Sequence, residues 1–293
     1  MEKCSICPRN CGALRKTAPG ICGTDENIRI SKIMNHKWEE PPISGSLGSG
    51  CIFFTGCSLK CVYCQNSEIS RGEGGRIYSQ SELLEEILSM EESVHNINLV
   101  TGTHMTDYLI PVLRELKRRN FSLPIIWNTS SYENKKTLEK LRGLIDVYLA
   151  DFKYMDRNSA GKYSGAPDYP QVALKALKEM YRQRGKFIIK DGLIKSGIVA
   201  RHLVLPGCAE DSMDIIDRLN DEFGNDIIYS IMMQYTPKNI PSSYSEINRR
   251  VSEEEYDRIL NFTMALGLEN VFIQEPESAS EDFIPGFSED NNV

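Results

Sequence analysis

Three cysteines within eight positions, Cys57, Cys61 and Cys64, constrain this chain more than any other feature; their spacing is Cys-x3-Cys-x2-Cys. The run before them, Cys51-Ile52-Phe53-Phe54-Thr55, is apolar and aromatic and reads as a strand. The cysteines therefore sit on a loop just past a strand end. On such a loop three thiolates can converge on three corners of a cube-shaped cluster, whereas a 4Fe-4S cluster normally takes four cysteines. One iron is then left without a protein ligand. The competing readings are a zinc loop and a set of buried cysteines. Zinc sites usually close with four ligands, often as two pairs, which a lone three-cysteine loop does not offer.

With Tyr63 directly before the last cysteine, the signature resembles that of the radical S-adenosylmethionine superfamily. The resemblance implies an open iron that chelates the amino and carboxylate groups of S-adenosylmethionine. It implies that one electron passes into the sulfonium, and that the 5′-deoxyadenosyl radical released abstracts a hydrogen atom. The hard chemistry then belongs to the cofactors, and the protein supplies ligation, orientation and exclusion of water.

The bulk properties fit such an enzyme. A chain of 293 residues, 41% of them hydrophobic, can bury a sizeable core, and barrels of strand-helix units reach this length as one domain. Mean hydropathy is -0.35, no apolar run is long enough to span a bilayer, and the first residues have no apolar signal core. The expectation is a cytoplasmic protein. A net charge of -7 and a pI of about 5.3 offer no basic face for nucleic acid or anionic lipid.

Seven of the nine cysteines fall into two groups. In a non-secreted chain such grouping reads as metal binding rather than a disulfide framework. The second group, Cys4, Cys7, Cys11 and Cys22, is interleaved with Pro8, Gly12, Pro19, Gly20 and Gly23. Four thiolates on turn-rich loops suggest a knuckle held by metal. A closed zinc site and an auxiliary iron-sulfur cluster both fit the spacing, and so does a set of partly free thiols.

Residues 24–50 read as irregular or hairpin-like, and the paired Glu39 and Glu40 as a solvated face rather than a cofactor contact. From residue 51 strands and helices alternate. Strand-like runs are Ile52–Thr55, Ile97–Val100, Pro124–Trp127, Ile145–Leu149, Ile198–Leu205 and Ile228–Met233. Helices are expected at Ser79–Ser93, Thr106–Arg119, Ser131–Arg142, Tyr169–Arg184 and Glu210–Phe223, the first capped by Ser79 or Ser81 with Glu82 in its first turn. Residues 184–197, with Gly185, Gly192 and Gly197, read as an insertion or hairpin. The alternation predicts a parallel sheet with right-handed crossovers. Six units suit a partial (β/α)6 barrel, the α/β fold that the family resemblance also implies. The expected organisation is a cysteine-rich extension over 1–50 and the barrel over 51–240. A helix near Ser252–Leu266, a strand at Val271–Ile273 and a loose acidic tail then make up 241–293.

In such barrels chemistry gathers at the carboxyl ends of the strands. The second strand is followed by Thr101-Gly102-Thr103-His104, where the glycine lets backbone approach a ligand; His104 is either a ligand contact or a loop histidine satisfied by backbone. The third is followed by Asn128 and Thr129, the fourth by Asp151-Phe152-Lys153. Asp151 and Lys153 alternate along extended chain and can face one side, offering a zwitterion one partner per charge, or forming a rim salt bridge. Arg201 and His202 are adjacent and face opposite sides, so one points inward. Gln234 and Tyr235 either line the site or simply end the sixth strand.

Asn128-Thr129, Asp151-x-Lys153 and Arg201-x5-Gly207 stand in the order seen in activating enzymes of pyruvate formate-lyase, over most of residues 45–240. With Cys4-x2-Cys7-Pro8-Arg9-x-Cys11 and Glu39-Glu40-Pro41, the chain most resembles the branch related to those enzymes. The resemblance implies that Tyr63, Gly102, Thr103, Asn128, Thr129, Asp151, Lys153 and Arg201 surround S-adenosylmethionine, and that Cys57, Cys61 and Cys64 hold the cluster. It further implies a flavodoxin or ferredoxin as electron donor and a glycyl-radical enzyme as partner. The alternatives are radical modification of another protein or a small molecule, and a non-catalytic metal-binding scaffold.

Overall fold

The computed structural model describes residues 3–274 together with Phe287. The expected acidic tail lies outside the described residues apart from Phe287. The strands are β1 Ile28–His36, β2 Ser49–Phe54, β3 Arg76–Tyr78, β4 Ile97–Val100, β5 Ile125–Thr129, β6 Val147–Asp151, β7 Ile188–Lys190, β8 Leu193–Leu203, β9 Ile228–Met232 and β10 Val271–Ile273. The helices are α1 Pro41–Ser44, α2 Ser67–Ser70, α3 Gln80–Ser89, α4 Thr106–Arg118, α5 Lys135–Lys140, α6 Arg157–Ser164, α7 Tyr169–Arg184, α8 Ala209–Phe223 and α9 Glu253–Ala265.

One open sheet runs β3-β1-β2-β4-β5-β6-β8-β9-β10. From β2 to β10 every neighbouring pair is parallel, whereas β1 is antiparallel to both β2 and β3. This is the partial barrel, with a helix returning the chain between successive parallel strands. Strands covered on both faces must be apolar on both, and every residue of β4, β5 and β9 is buried. Outward-facing Ile125, Trp127 and Tyr148 join Leu109, Leu113, Leu116 and Leu177 of the helical layer in one core. The alternate residues Ile126, Val147, Leu149, Val199 and Ile228 form a second core inside the barrel, where Ile43 of α1 packs against them. The short helix thus fills the interior, and the carboxyl ends of the strands are left to line a cavity.

Local chemistry accounts for most element ends. Ser79 and Glu82 form a reciprocal capping box at α3, and Ser252 and Glu255 form another at α9. Asp156 caps α6 by accepting from the amides of Asn158 and Ser159. One sequence expectation needs revision. The helix expected from Ser131 begins only at Lys135, because Ser131 has φ 60 and Glu133 turns inward. Residues 24–50 contain a nine-residue strand, β1, whose register against β2 shifts between Ile30 and Lys32. The expected hairpin at 184–197 is present: β7 folds back on the first half of β8, whose second half enters the parallel sheet. Gly197 marks the change, with φ 126 and Phe187 Cα only 2.5 Å from where a Cβ would stand.

Candidate active site

The loop after β2 brings Cys57, Cys61 and Cys64 to the mouth of a cavity of about 430 Å3. Its wall takes residues from the end of each parallel strand of the barrel: Phe53, Thr101, Asn128 with Thr129, Asp151 with Lys153, Arg201 with Leu203, and Met232 with Gln234. Tyr63 lines it beside the cysteines.

Polar groups in the wall form one connected set. Lys153 Nζ donates to Asp151 Oδ2 at 2.7 Å, and Arg201 Nε donates to Asp151 Oδ1 at 2.9 Å. The remaining guanidinium nitrogens of Arg201 reach Glu39 Oε2 at 3.1 Å and Asn128 Oδ1 at 2.8 Å. Asp151 and Lys153 therefore share the cavity and also pair with each other. Burial opposes the Asp151 charge, but Lys153 and Arg201 outweigh it and hold the carboxyl below its usual range. Burial likewise opposes the Lys153 cation, and Asp151 more than restores it. Glu39 is raised by burial, with Arg201 working the other way. The paired Glu39 and Glu40, read as a solvated face, prove to be a correction: the Glu39 side chain is only 11% exposed and lines the cavity, and Glu40 Oε2 is buried. Pairing with Arg201 draws Glu39 inward.

A second chain of bonds supports the cysteine loop. Ser164 Oγ donates to Cys61 Sγ at 2.9 Å, Tyr154 Oη donates to Ser164 Oγ at 2.8 Å, and Tyr63 Oη lies 2.6 Å from Tyr154 Oη. Burial raises the Cys57 thiol and pushes the Cys64 thiol up to about 12. Metal binding has to release those protons.

Other sequence candidates lie elsewhere. Gly102 is not where backbone meets the cavity: a Cβ there would stand 2.8 Å from the Trp127 ring, so the glycine serves helix-to-strand packing. Thr103 donates to the buried Glu133 at 2.7 Å. Neighbouring Thr101 lines the cavity instead, at φ 61, a strained value for a β-branched residue. His104 is buried and bonded to Thr55 O at 2.8 Å, away from the cavity. His202 faces opposite to Arg201 and bonds Phe152 O and Ser212 Oγ, both at 2.8 Å, within the core. Gln234 lines the cavity, whereas Tyr235 is buried with its hydroxyl on Ile247 O. Ser164, Tyr154 and Glu39 carried no local sequence signal for these contacts: Ser164 meets Cys61 across 103 residues, Tyr154 meets Tyr63 across 91 and Glu39 meets Arg201 across 162.

The donor set fits the group that the loop spacing suggests. Three thiols on one loop face a cavity with a fixed cation pair and carboxylate, a suitable wall for a zwitterionic ligand. A partial barrel with a three-cysteine loop after its first parallel strand defines the radical S-adenosylmethionine class of architecture. The sequence model of the radical SAM superfamily matches residues 51–219, more than half of the chain, and the chain belongs to that superfamily. It is distantly similar to pyruvate formate-lyase-activating enzymes. The enzyme of that name from Staphylococcus epidermidis is 24% identical over 176 residues, covering 56% of this chain and 65% of the enzyme, just under two thirds of its length. An uncharacterized protein of Methanocaldococcus jannaschii is 28% identical over 282 residues, covering 92% of this chain and 77% of the relative. Among solved structures, methylornithine synthase superposes with a TM-score of 0.51 at 12% identity, over 81% of this chain and 73% of that one. Streptococcus suis SuiB with its precursor peptide superposes at 0.50 and 13% identity, over 75% of this chain and 46% of that one. These two likenesses concern the fold. Membership of the superfamily brings with it a 4Fe-4S cluster and S-adenosylmethionine. No helix among the described residues is long and apolar enough to cross a membrane.

Proposed function

We propose that this chain cleaves S-adenosylmethionine reductively and takes a hydrogen atom from a protein partner, with a glycine of a glycyl-radical enzyme as the favoured donor. One observation carries the reading. Cys57, Cys61 and Cys64 open onto the same cavity as Asp151, Lys153 and Arg201. Cys57, Cys61 and Cys64 would hold the cluster, and Asp151, Lys153, Asn128 and Thr129 would hold S-adenosylmethionine. When bound, the pair supplies a one-electron cleavage of the sulfonium and hence a carbon radical able to abstract hydrogen.

The chain's own residues bind, orient and keep out water. Lys153 offers a cation to a ligand carboxylate. Arg201, bonded to three separate acceptors, fixes the Asp151 carboxylate in one orientation, so little reorganisation is left for ligand binding. Ser164 gives a hydrogen bond to the Cys61 sulfur, a contact of the kind that tunes a cluster's potential. Phe53, Leu59, Val100, Leu203 and Met232 form the apolar part of the wall, which limits water near a reactive centre. A protein donor is favoured by the distant likeness to pyruvate formate-lyase-activating enzymes.

The test is anaerobic reconstitution with iron and sulfide, reduction with dithionite, and chromatography for 5′-deoxyadenosine. Release of 5′-deoxyadenosine is expected, together with a doublet radical signal by electron paramagnetic resonance when the co-purifying partner is added. Cluster-loaded protein that forms no 5′-deoxyadenosine at any pH would contradict the cleavage. Formation of 5′-deoxyadenosine without any protein-borne radical would move the donor from protein to small molecule.

A further inference from the structure

We infer that Cys4, Cys7, Cys11 and Cys22 bind a second metal centre through four thiolates, and that this centre braces the loop carrying Cys57, Cys61 and Cys64. The segment before β1 contains no helix or strand among its described residues; turns shape it, and bonds such as Thr137 Oγ1 to Ile6 O and Asn134 Nδ2 to Ser5 O tie it to the barrel. Those turns fold the cysteine-bearing stretches back on one another. Backbone bonds Cys4 N to Ala13 O and Gly12 N to Cys4 O, both 3.0 Å, fold the first group back on itself. Asn10 N donates to Cys7 O at 3.0 Å, with Asn10 at φ 41, which makes the tight turn Cys7-Pro8-Arg9-Asn10. Gly23 N donates to Gly20 O at 2.9 Å and so closes a second turn that presents Cys22. A Cβ on Gly20 would stand 3.3 Å from Cys11 Sγ and 3.4 Å from Cys22 Sγ, so glycine is what leaves room between those sulfurs. All four are free thiols. Among the described residues no three thiols stand ready around a single ion, and this is as true of Cys57, Cys61 and Cys64 as of the N-terminal set. Two turns that each present thiols, on a segment without helix or strand, are the arrangement of a knuckle stabilised by metal.

What lies against this knuckle gives its role. Cys57 N donates to Cys22 O at 3.2 Å, a direct backbone link between the two cysteine groups. Arg9, between Cys7 and Cys11, gives Nε to Ser58 O at 2.8 Å, inside the Cys57–Cys61 loop. Its Nη2 reaches Ser164 O at 2.7 Å, in the residue whose hydroxyl holds Cys61 Sγ, and Nη1 reaches Gly165 O. The guanidinium also lies over the Tyr132 ring, 5.3 Å from its centroid. Fixing Cys7 and Cys11 by metal fixes Arg9, and Arg9 holds carbonyls on both supports of the Cys61 thiolate. The bracing role rests on the cluster assignment made under Proposed function; the metal site itself does not.

The test is metal analysis of the full chain in which Cys57, Cys61 and Cys64 are all replaced by Ala, which removes the open cluster. That protein should keep either a single zinc ion per chain, or iron with matching sulfide, released on titrating the remaining thiols with a mercurial; the two contents separate a zinc knuckle from an auxiliary cluster. Cys7→Ser with Cys22→Ser should lose it. Absence of zinc and iron from the triple variant, prepared with either metal in excess, overturns the site even if the double variant does not fold. For the brace, Arg9→Ala should keep the N-terminal metal yet lose the visible absorbance of its 4Fe-4S cluster several-fold faster in air than the unaltered protein. Bleaching at an unchanged rate overturns the bracing role and leaves the cleavage reading untouched.

Discussion

At single residues the site is a set of charges that cannot be removed one at a time without consequence. Arg201 is held by Asp151, Glu39 and Asn128, and its side chain is only 14% exposed, so any lost partner leaves a nearly buried charge under-compensated. The buried histidines show the opposite strategy, neutrality. His104 donates from Nε2 to Thr55 O, and its Nδ1 has no hydrogen-bond partner. Burial and the nearby Arg15 cation depress its pKa to about 4, against the bond to Thr55 O. An unfolded histidine titrates near ~6.5. The unfolded state therefore takes up the proton first as pH falls, and the folded state loses stability between about pH 6.5 and about pH 4. A shift of this size corresponds to roughly 3 kcal/mol. We expect His104→Gln to be less stable at pH 7.5 yet to show a shallower fall over that window, by up to about one proton in the linkage slope. Urea unfolding at stepped pH, compared between the two proteins, checks this. Parallel curves for the two would mean that His104 is not held neutral by the fold.

Elements were legible where local pattern decides them. The bounds of β4, α7 and β10 fall where apolar spacing predicts, and Ser79 caps α3 with Glu82 in its first turn. The alternation of Asp151 with Lys153, and the opposed faces of Arg201 and His202, also followed from strand period alone. What was hidden depends on distant partners. Glu39 is drawn into the cavity by Arg201, 162 residues away, and Ser164 meets Cys61 across 103 residues. The late start of α5 depends on the inward turn of Glu133 toward Trp127, Thr103 and Thr129. Loop-to-loop packing was equally invisible, and its clearest case is where the loop after α2 meets the N-terminal loop. Gly72 has φ 93, and a Cβ there would lie 2.3 Å from Gly23 O. Gly74 has φ 70 but open space around it. Alanine at Gly74 should cost only the left-handed backbone penalty, about 1–2 kcal/mol. Alanine at Gly72 should cost that plus about 1–3 kcal/mol of forced separation. Denaturant unfolding of the two variants measures the difference; equal losses would mean that the two loops part freely.

For the whole molecule, the consequence is that ligand binding and fold stability are linked through one cavity. The cavity draws on every parallel strand of the barrel from β2 to β9, so a ligand seated in it ties the sheet together across its width. A ligand that binds only the folded state stabilises it by RT ln(1 + [L]/Kd), about 2.7 kcal/mol at a hundredfold excess over Kd. If S-adenosylmethionine docks on an open iron as well as on Asp151 and Lys153, most of that stabilisation must depend on the cluster. Cluster-loaded protein should therefore unfold at higher temperature when S-adenosylmethionine is added under anaerobic conditions. Cys57→Ala, which lacks one of the three thiols, should show little or no rise at the same concentration. Lys153→Met in cluster-loaded protein should show an intermediate rise, because the iron remains while the cation is gone. The decisive comparison is between the first two. An equal rise in the cluster-free variant would mean that the cavity wall alone binds the ligand, and the iron would then have no part in holding it.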